Sequence, residues 1–346
     1  MHRFELTAAD GDIVGLVQKT IVGPDDTLPD IARRFDVGYE EIVLANPDVD
    51  PWLPGVGREV IVPTQFVLPA APREGIVVNI AAMRIFYFPP HKPGEPQRVY
   101  THPIGIGKVG WKTPEGTTRI TGRQKDPVWI PPRSVREEHA QNGEKLPERV
   151  PAGPNNPLGQ YLFRLDWPSY LIHGTNKPYG VGMRSSHGCM RLYPEDIAVF
   201  FDLVPVGTKV TVVNQPYLFG WRDHTAYLQS YAVLEDDTRD WNSHRRRLLD
   251  QLLQSKSRAP GPRQVNADDA ALDWQRIGTL ARNPRAVPVP VSAGRDGLEA
   301  ILASAHRVAN TLPAGSNWDG RGGLLIDERT YRELLGERST DPGSGH

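Results

Sequence analysis

Residues 14–65 carry a short, regular pattern of apolar and polar positions in which two strands flank two helices. Thr27 is followed three residues later by Asp30, which is typical of a capped helix start, and apolar residues then recur at helical spacing. The predicted elements are a strand at 20–22, a helix at 28–35, a helix at about 39–45 and a strand at 60–63. The pattern therefore predicts a small unit with the order β-α-α-β.

From residue 75 to residue 213 the pattern changes to short runs rich in β-branched and aromatic residues, separated by glycine and proline. The predicted strands are 76–80, 84–88, 99–101, 161–165, 170–172 and 209–213. A long Pro-rich stretch at 126–157 interrupts them and contains a predicted helix at 135–142. A stretch of that length within a compact domain is commonly functional, for example as a lid.

The last third of the chain changes character again. Two strand-like runs at 215–237 predict an appended β-hairpin, and residues 238–338 predict a helical region of open role. Its predicted elements are helices at about 240–253, 268–280 and 298–312, a breaker segment at 284–290 and, beyond 338, a disordered tail at 339–346. Together with a linker at 69–72, this division predicts a multidomain protein with domains at 14–65 and 73–214.

Composition narrows the class of protein. With 346 residues, 39% of them hydrophobic and 23% charged, the chain is typical of a soluble globular protein of two or three domains. The 40 Lys and Arg residues nearly cancel the 41 Asp and Glu residues, so charge gives no reason to expect nucleic acid as a partner. The longest apolar stretch, 76–88, is interrupted by Asn79 and Arg84 and is too short for a membrane span.

The N-terminus lacks the charged start and apolar core of a secretory signal, which taken literally indicates a cytoplasmic protein. Cysteine usage is more informative. A single cysteine, Cys189, excludes an intrachain disulfide and leaves either a buried apolar residue or a reactive thiol.

Candidate chemistry is concentrated around Cys189, which lies two residues after His187 and sixteen after His173. A thiol needs a nearby base or cation to become a nucleophile at neutral pH, and His173 ends a predicted strand from which it could serve. No acidic residue is obviously placed as a third member, so a backbone carbonyl such as that of Gly174 is a candidate to orient the imidazole. Consecutive N–H groups from His187 to Cys189, opened by Gly188, could stabilise an oxyanion.

The residue pattern by itself leaves three interpretations open. A lone cysteine in a strand-rich region is often buried and inert. His173, His187 and Cys189 could instead ligate zinc. Their combination in one short stretch favours the third interpretation, a cysteine acyl-transfer site.

The run Ser186-His187-Gly188-Cys189-Met190-Arg191, with His173-Gly174-Thr175 upstream, resembles the signature of YkuD-type L,D-transpeptidases. The likeness extends over roughly residues 14–235 and is closest to the ErfK/YbiS-like branch, which anchors Braun's lipoprotein. Residues 31–35 and 40–47 resemble a LysM module, although Asp25-Asp26-Thr27 stands where that family usually has Gly-Asp-Thr. The implied fold is a β-sandwich catalytic domain with a small α+β LysM-like domain before it and a helical region after it.

The resemblance implies a role for each site residue. Cys189 would be the nucleophile, His173 the general base, and His187 and Gly188 part of the oxyanion region. The residues implied to contact the substrate are Gly174, Ser186, Arg191, Arg184 and, in the Pro-rich stretch, Trp129. For Arg191 a structural ion pair is an equally open alternative, and for Trp129 a core position is. A loop hydrogen-bonding role suits Ser186 better than the role of a nucleophile.

The implied substrate is the tetrapeptide stem of peptidoglycan, which places the expected protein in the periplasm, with no cofactor and no metal. The implied acceptor is the amine of a Braun-type lipoprotein, an outer-membrane β-barrel protein or a second stem peptide. Two alternatives share parts of this interpretation. One is an L,D-carboxypeptidase with water as acceptor, and the other is a non-catalytic peptidoglycan-binding protein.

Overall fold

The computed structural model describes residues 2–6, 11–241, 271–312 and 316 of the chain. Within these ranges strands predominate, and six α-helices accompany them. In the same ranges, no helix has the length and apolar character needed to cross a membrane. A central sheet, an N-terminal unit and a C-terminal region make up the architecture.

The elements are numbered along the chain. The helices are α1 (Leu28–Arg34), α2 (Tyr39–Ala45), α3 (Arg133–Gln141), α4 (Pro194–Leu203), α5 (Trp274–Arg282) and α6 (Leu298–Ser304). The first ten strands are β1 (His2–Leu6), β2 (Ile13–Gly15), β3 (Gln18–Ile21), β4 (Glu59–Val62), β5 (Gln65–Val67), β6 (Gly75–Asn79), β7 (Arg84–Phe88), β8 (Gln97–Pro103), β9 (Ile106–Gly107) and β10 (Gly116–Lys125). The others are β11 (Tyr161–Leu165), β12 (Leu171–His173), β13 (Arg184–Ser186), β14 (Met190–Arg191), β15 (Lys209–Val213), β16 (Tyr217–Arg222), β17 (Thr225–Ser230), β18 (Val289–Pro290) and β19 (His306–Arg307).

The central sheet has nine strands in the order β1-β8-β7-β6-β15-β10-β11-β12-β14 and folds over at β10. Residues 116–119 of β10 pair with β15 and residues 120–125 pair with β11, with a register shift between Ile120 and Gly122. Buried side chains of both halves form one apolar cluster, which includes Val78, Ile85, Val210, Phe163, Ile172 and Met190. The mainly-β prediction is confirmed, and one bent sheet, rather than two separate ones, encloses the core.

The N-terminal unit has the predicted β-α-α-β order, with β3 and β4 paired antiparallel around α1 and α2. Thr27 and Asp30 form the predicted capping box at the start of α1. The LysM-like character of this unit remains a prediction.

A buried ion pair joins the N-terminal unit to the central sheet. Arg84 on β7 is completely buried, and its Nε and Nη2 donate to the two carboxylate oxygens of Glu41 on α2 at 2.7 and 2.6 Å. The guanidinium also lies 4.0 Å from the centroid of the Phe66 ring. Because both side chains are removed from water, each charge depends on the other for compensation.

We expect Glu41→Ala to lower the free energy of unfolding by about 3–5 kcal/mol, because it leaves the buried Arg84 charge without its carboxylate. Chemical denaturation of the full chain measures the change. Glu5→Ala is the matched control, since Glu5 pairs with Arg98 at the surface, where such pairs contribute about 0–1 kcal/mol. Equal destabilisation by the two substitutions would contradict the prediction.

The N-terminal unit also contacts the segment that leads into β13. Backbone N–H groups of Tyr39 and Glu40 donate to the carbonyl oxygens of Val181 and Gly182 at 3.2 and 3.1 Å. Gly182 has a φ of +81°, and a Cβ there would lie 2.4 Å from Cα of Gly38, so the close approach requires glycine.

The C-terminal region follows the sequence prediction only in part. The predicted hairpin is confirmed as β16 and β17. The helix predicted at 298–312 ends at Ser304, and β19 follows it and pairs in parallel with β3. The helix predicted at 268–280 begins only at Trp274, and the breaker at 284–290 contains β18. Most of the helix predicted at 240–253 and the whole tail at 339–346 lie outside the described residues.

The Pro-rich insertion at 126–157 contains α3, which confirms the predicted helix within it. Its base is fastened by reciprocal backbone hydrogen bonds between Trp129 and Val150, at 2.9 and 2.8 Å. Buried Asn156 adds a side-chain hydrogen bond to the carbonyl of Pro127 at 2.7 Å. These contacts hold the two ends of the insertion together and leave α3 between them.

Candidate active site

The pairing of β12 with β14 brings the predicted nucleophile and base to one face of the sheet. The two strands run in parallel, with Ile172 opposite Met190 and His173 opposite Arg191. Ile172 and Met190 point into the core, and side chains alternate along a strand, so His173, Arg191 and the adjacent Cys189 share the opposite face.

His173 is held by the carbonyl that the sequence suggested. The side chain is 4% exposed, and its Nδ1 lies 2.6 Å from the carbonyl oxygen of Gly174. Because a carbonyl can only accept, Nδ1 carries the proton and Nε2 is left as the acceptor. Burial, together with the nearby Arg191 charge, lowers the pKa of His173 to about 3. The imidazole is therefore neutral at physiological pH and available as a base.

The Cys189 thiol is half-buried and lies 3.5 Å from the carbonyl oxygen of Ser169, to which it donates. Burial raises the pKa of Cys189, and the Arg191 charge opposes that effect. The resting site thus holds a neutral thiol on the same sheet face as a neutral imidazole.

The loop before Cys189 is fixed by hydrogen bonds from inside the protein. Ser186 is completely buried, donates its hydroxyl proton to the carbonyl of Cys189 at 2.6 Å and accepts from the N–H of Gly188 at 3.1 Å. Thr113 donates to the carbonyl oxygen of Gly188 at 2.9 Å. Gly188 has a φ of +102°, and a Cβ there would lie 2.9 Å from the Tyr170 ring. Glycine is therefore required at this position.

Residues 73–212 match the family described as the L,D-transpeptidase catalytic domain, YkuD. The chain is 37% identical over 290 residues to the probable L,D-transpeptidase ErfK/SrfK of Salmonella typhimurium, covering 83% of this chain and 90% of that protein. It therefore belongs to the L,D-transpeptidase family. As a member of that family it is an acyltransferase enzyme.

Further similarities concern the same region. The probable L,D-transpeptidase YcfS of Escherichia coli is 41% identical over 220 residues, which cover 62% of this chain and 68% of that protein. Among solved structures, the NMR structure of the catalytic domain of the E. faecium L,D-transpeptidase acylated by ertapenem matches at 23% identity and a TM-score of 0.30. That match covers 40% of this chain and 96% of the other.

In this L,D-transpeptidase the side chain of His187 is turned toward the Pro-rich insertion. Its Nε2 contacts a carboxylate oxygen of Glu138 on α3 at 2.5 Å, and its ring meets the ring of Trp111 edge-on at 4.8 Å. The other Glu138 oxygen accepts from Lys108 at 2.5 Å. Nothing in the sequence singled out Glu138, because it lies 49 residues from His187 and only the fold brings them together.

The two arginines predicted to contact the substrate differ in position. The Arg191 charge lowers the pKa of both Cys189 and His173, and its Nη1 contacts the Ser185 hydroxyl at 3.5 Å. Arg184 instead pairs with Asp236 at 2.9 Å and lines a cavity of about 330 Å³. The predicted contact of Arg184 with a substrate carboxylate stays a prediction.

Ser186 is completely buried and braces the loop through its hydroxyl, and its substrate contact stays a prediction. The loop hydrogen-bonding role left open for Ser186 fits its contacts. Trp129 lies half-buried at the base of the insertion, and its substrate contact stays a prediction. The structure does not support a zinc site formed by His173, His187 and Cys189. Within the described ranges, their ligand atoms do not all lie within 4.8 Å of one another, as a shared metal ion would require.

Proposed function

We propose that the protein is a periplasmic L,D-transpeptidase that acts on the tetrapeptide stems of peptidoglycan through Cys189. The bond cleaved joins the third stem residue, typically meso-diaminopimelate, to the terminal D-Ala. The relatives' names support the reaction class, and the arrangement of Cys189, His173 and Gly174 supports the residue roles. The location follows from the substrate, which lies outside the cytoplasmic membrane.

The proposed first half-reaction forms a thioester. Nε2 of His173 takes the thiol proton as the sulfur of Cys189 attacks the carbonyl carbon. When the C–N bond breaks, the imidazolium returns that proton to the leaving D-Ala amine. In the second half-reaction an acceptor amine attacks the thioester, loses a proton to His173 and releases the thiol.

Backbone N–H groups of the loop from His187 to Cys189 are the proposed oxyanion donors. The hydrogen bonds from Ser186 and Thr113 hold this loop in one conformation, so the donors need no rearrangement when charge develops. The N–H of Gly188 is bonded to Ser186 in the resting structure, which leaves the N–H of Cys189 as the more accessible donor.

The observation that carries the proposal is the shared sheet face of His173 and Cys189, with His173 fixed by Gly174. Incubation of the full chain with a tetrapeptide stem, with and without an amine acceptor, tests it by mass spectrometry. Transferred product with loss of D-Ala supports the transpeptidase. Free tripeptide in both incubations indicates the L,D-carboxypeptidase, and absence of any product leaves only a peptidoglycan-binding protein.

The natural acceptor is part of the same proposal. A lipoprotein lysine, an outer-membrane β-barrel protein or a second stem would each leave a different mass on the tripeptide. Mass spectrometry of muropeptides from cells with and without the protein separates the three.

The insertion is proposed to act as a lid that favours an amine over water. Glu138 on α3 bridges Lys108 and His187, so the helix is docked on the loop that carries Cys189. A cover over the thioester excludes water and holds the acceptor amine near attacking geometry.

Glu138→Gln should therefore lower the ratio of transferred to hydrolysed product on the order of tenfold, since charge-assisted contacts contribute about 1.5–3 kcal/mol. Reaction of Cys189 with a β-lactam should continue. Glu137→Gln is the matched control, because the neighbouring Glu137 is exposed and pairs only locally with Arg133. Deleting residues 133–145 should lower the ratio of transferred to hydrolysed product further than Glu138→Gln does. An unchanged product ratio in both variants would show that α3 is not the lid.

A further inference from the structure

We propose that Asp36, His102 and Asp196 form a structural site for one divalent metal ion of the zinc class. This site is separate from Cys189 and was not anticipated from the sequence, which predicted no metal. Within the described ranges, these residues are the group whose ligand atoms all lie within 4.8 Å of one another.

The three ligands come from three parts of the fold. Asp36 lies in the loop between α1 and α2, His102 lies on β8, and Asp196 lies in the first turn of α4. All three side chains are buried, with exposed fractions of 5%, 0% and 3%. An ion held here would fasten the N-terminal unit to both the central sheet and α4.

The two separations that involve His102 fit a tetrahedral ion. Nδ1 of His102 lies 3.4 Å from Oδ2 of Asp36 and 3.2 Å from Oδ1 of Asp196. Zinc bound by nitrogen and oxygen at about 2.0–2.2 Å requires ligand atoms about 3.3–3.6 Å apart along each tetrahedral edge. The ligand oxygens of Asp36 and Asp196 lie within 4.8 Å of each other and would complete the set around the ion.

The hydrogen bonding of the His102 imidazole is incomplete, which indicates that a group is missing beside it. Among the described residues, neither of its ring nitrogens makes a hydrogen bond of good geometry, although both carboxylates lie within ion-pair distance of Nδ1. The carboxylate oxygens are near enough to accept but do not lie along the N–H direction. A fully buried ring nitrogen in this condition usually indicates an ion or water.

Charge balance favours a divalent cation at the same place. Two carboxylates are buried together, and the neighbouring Arg84 is already ion-paired with Glu41. The His2 backbone N–H also donates to Asp36 Oδ2, at 3.1 Å. With His102 neutral, a divalent ion would balance both carboxylates.

The decisive measurement is zinc content of the full chain, made in zinc-supplemented medium, freed of any affinity tag and dialysed against a weak chelator. We expect about one zinc per chain. X-ray absorption should show nitrogen and oxygen neighbours at about 2.0–2.2 Å and no sulfur at about 2.3 Å. A chain without zinc would overturn the proposal and leave an ion-paired triad.

Variants identify the ligands. His102→Gln and the nearly isosteric Asp196→Asn should each lose the zinc, whereas Cys189→Ala should keep it. The metal would belong to another site if both cluster variants kept the zinc, if Cys189→Ala lost it, or if the zinc were bound through sulfur. If a cluster variant does not fold, the X-ray absorption spectrum of the wild-type protein still tests the proposal, because it shows whether the zinc has nitrogen and oxygen neighbours or sulfur. The outcome is independent of the transpeptidase proposal, because it does not depend on activity.

Discussion

Cys189→Ala should abolish both transfer to an amine and hydrolysis of the stem peptide while leaving the fold intact. The thiol supplies the atom that bonds to the substrate carbonyl, so no acyl-enzyme can form without it. The structural cost is small, because the thiol is small and half-buried and its contact with the carbonyl of Ser169 is long, at 3.5 Å. Loss should therefore appear in activity and not in stability.

Intact-protein mass spectrometry with a β-lactam measures this directly, since wild type should gain one adduct and Cys189→Ala none. Thermal unfolding of the two proteins supplies the control for folding. A Cys189→Ala enzyme that still releases D-Ala would remove Cys189 from the mechanism.

His173→Gln should lower the rate of acylation by roughly 10²–10⁴, the usual contribution of a positioned general base. Burial and the Arg191 charge place the pKa of His173 at about 3, so in wild type the base stays unprotonated down to about pH 4. Wild-type acylation should thus show no loss between pH 7 and pH 5 from protonation of this residue.

The variant should behave differently at high pH. Burial raises the pKa of the Cys189 thiol above its ordinary value, so the thiolate forms without assistance only in alkaline solution. The rate of His173→Gln should therefore rise with pH and approach that of wild type. A wild-type activity that falls with a midpoint near pH 6.5 would contradict the assignment of His173 as a neutral base.

Local patterns predicted those elements whose signal lies within the element itself. α2, β7, β11 and β15 have the predicted bounds. The periodicity of apolar residues marks α2 and β15, whereas β7, which is buried along its whole length, and β11 are marked by runs of apolar and aromatic residues. α4 was missed because apolar residues surround it, in Ile197-Ala198-Val199-Phe200-Phe201, and no polar stripe marks its period. β9, β13 and β14 have only two or three residues each, too few for any period to show.

The chemistry of the site was predictable to the extent that it is local in sequence. Cys189, His173 and the Gly174 carbonyl lie in two short segments, and their residue types indicate the reaction. The contact of Glu138 with His187 could not be found, because it depends on how the insertion folds back. Burial of Ser186 was equally invisible, since the sequence does not show which side of a loop faces the protein.

The Arg84–Glu41 pair bears on how such proteins can evolve. One partner belongs to the sheet that carries the catalytic strands and the other to the N-terminal unit, and both are removed from water. Exchange of the N-terminal unit by recombination would succeed only when the incoming unit brings a carboxylate to the same place. We therefore expect residues 69–72 to be a poor junction for domain shuffling, because a new N-terminal unit without that carboxylate would leave the Arg84 charge buried and unpaired.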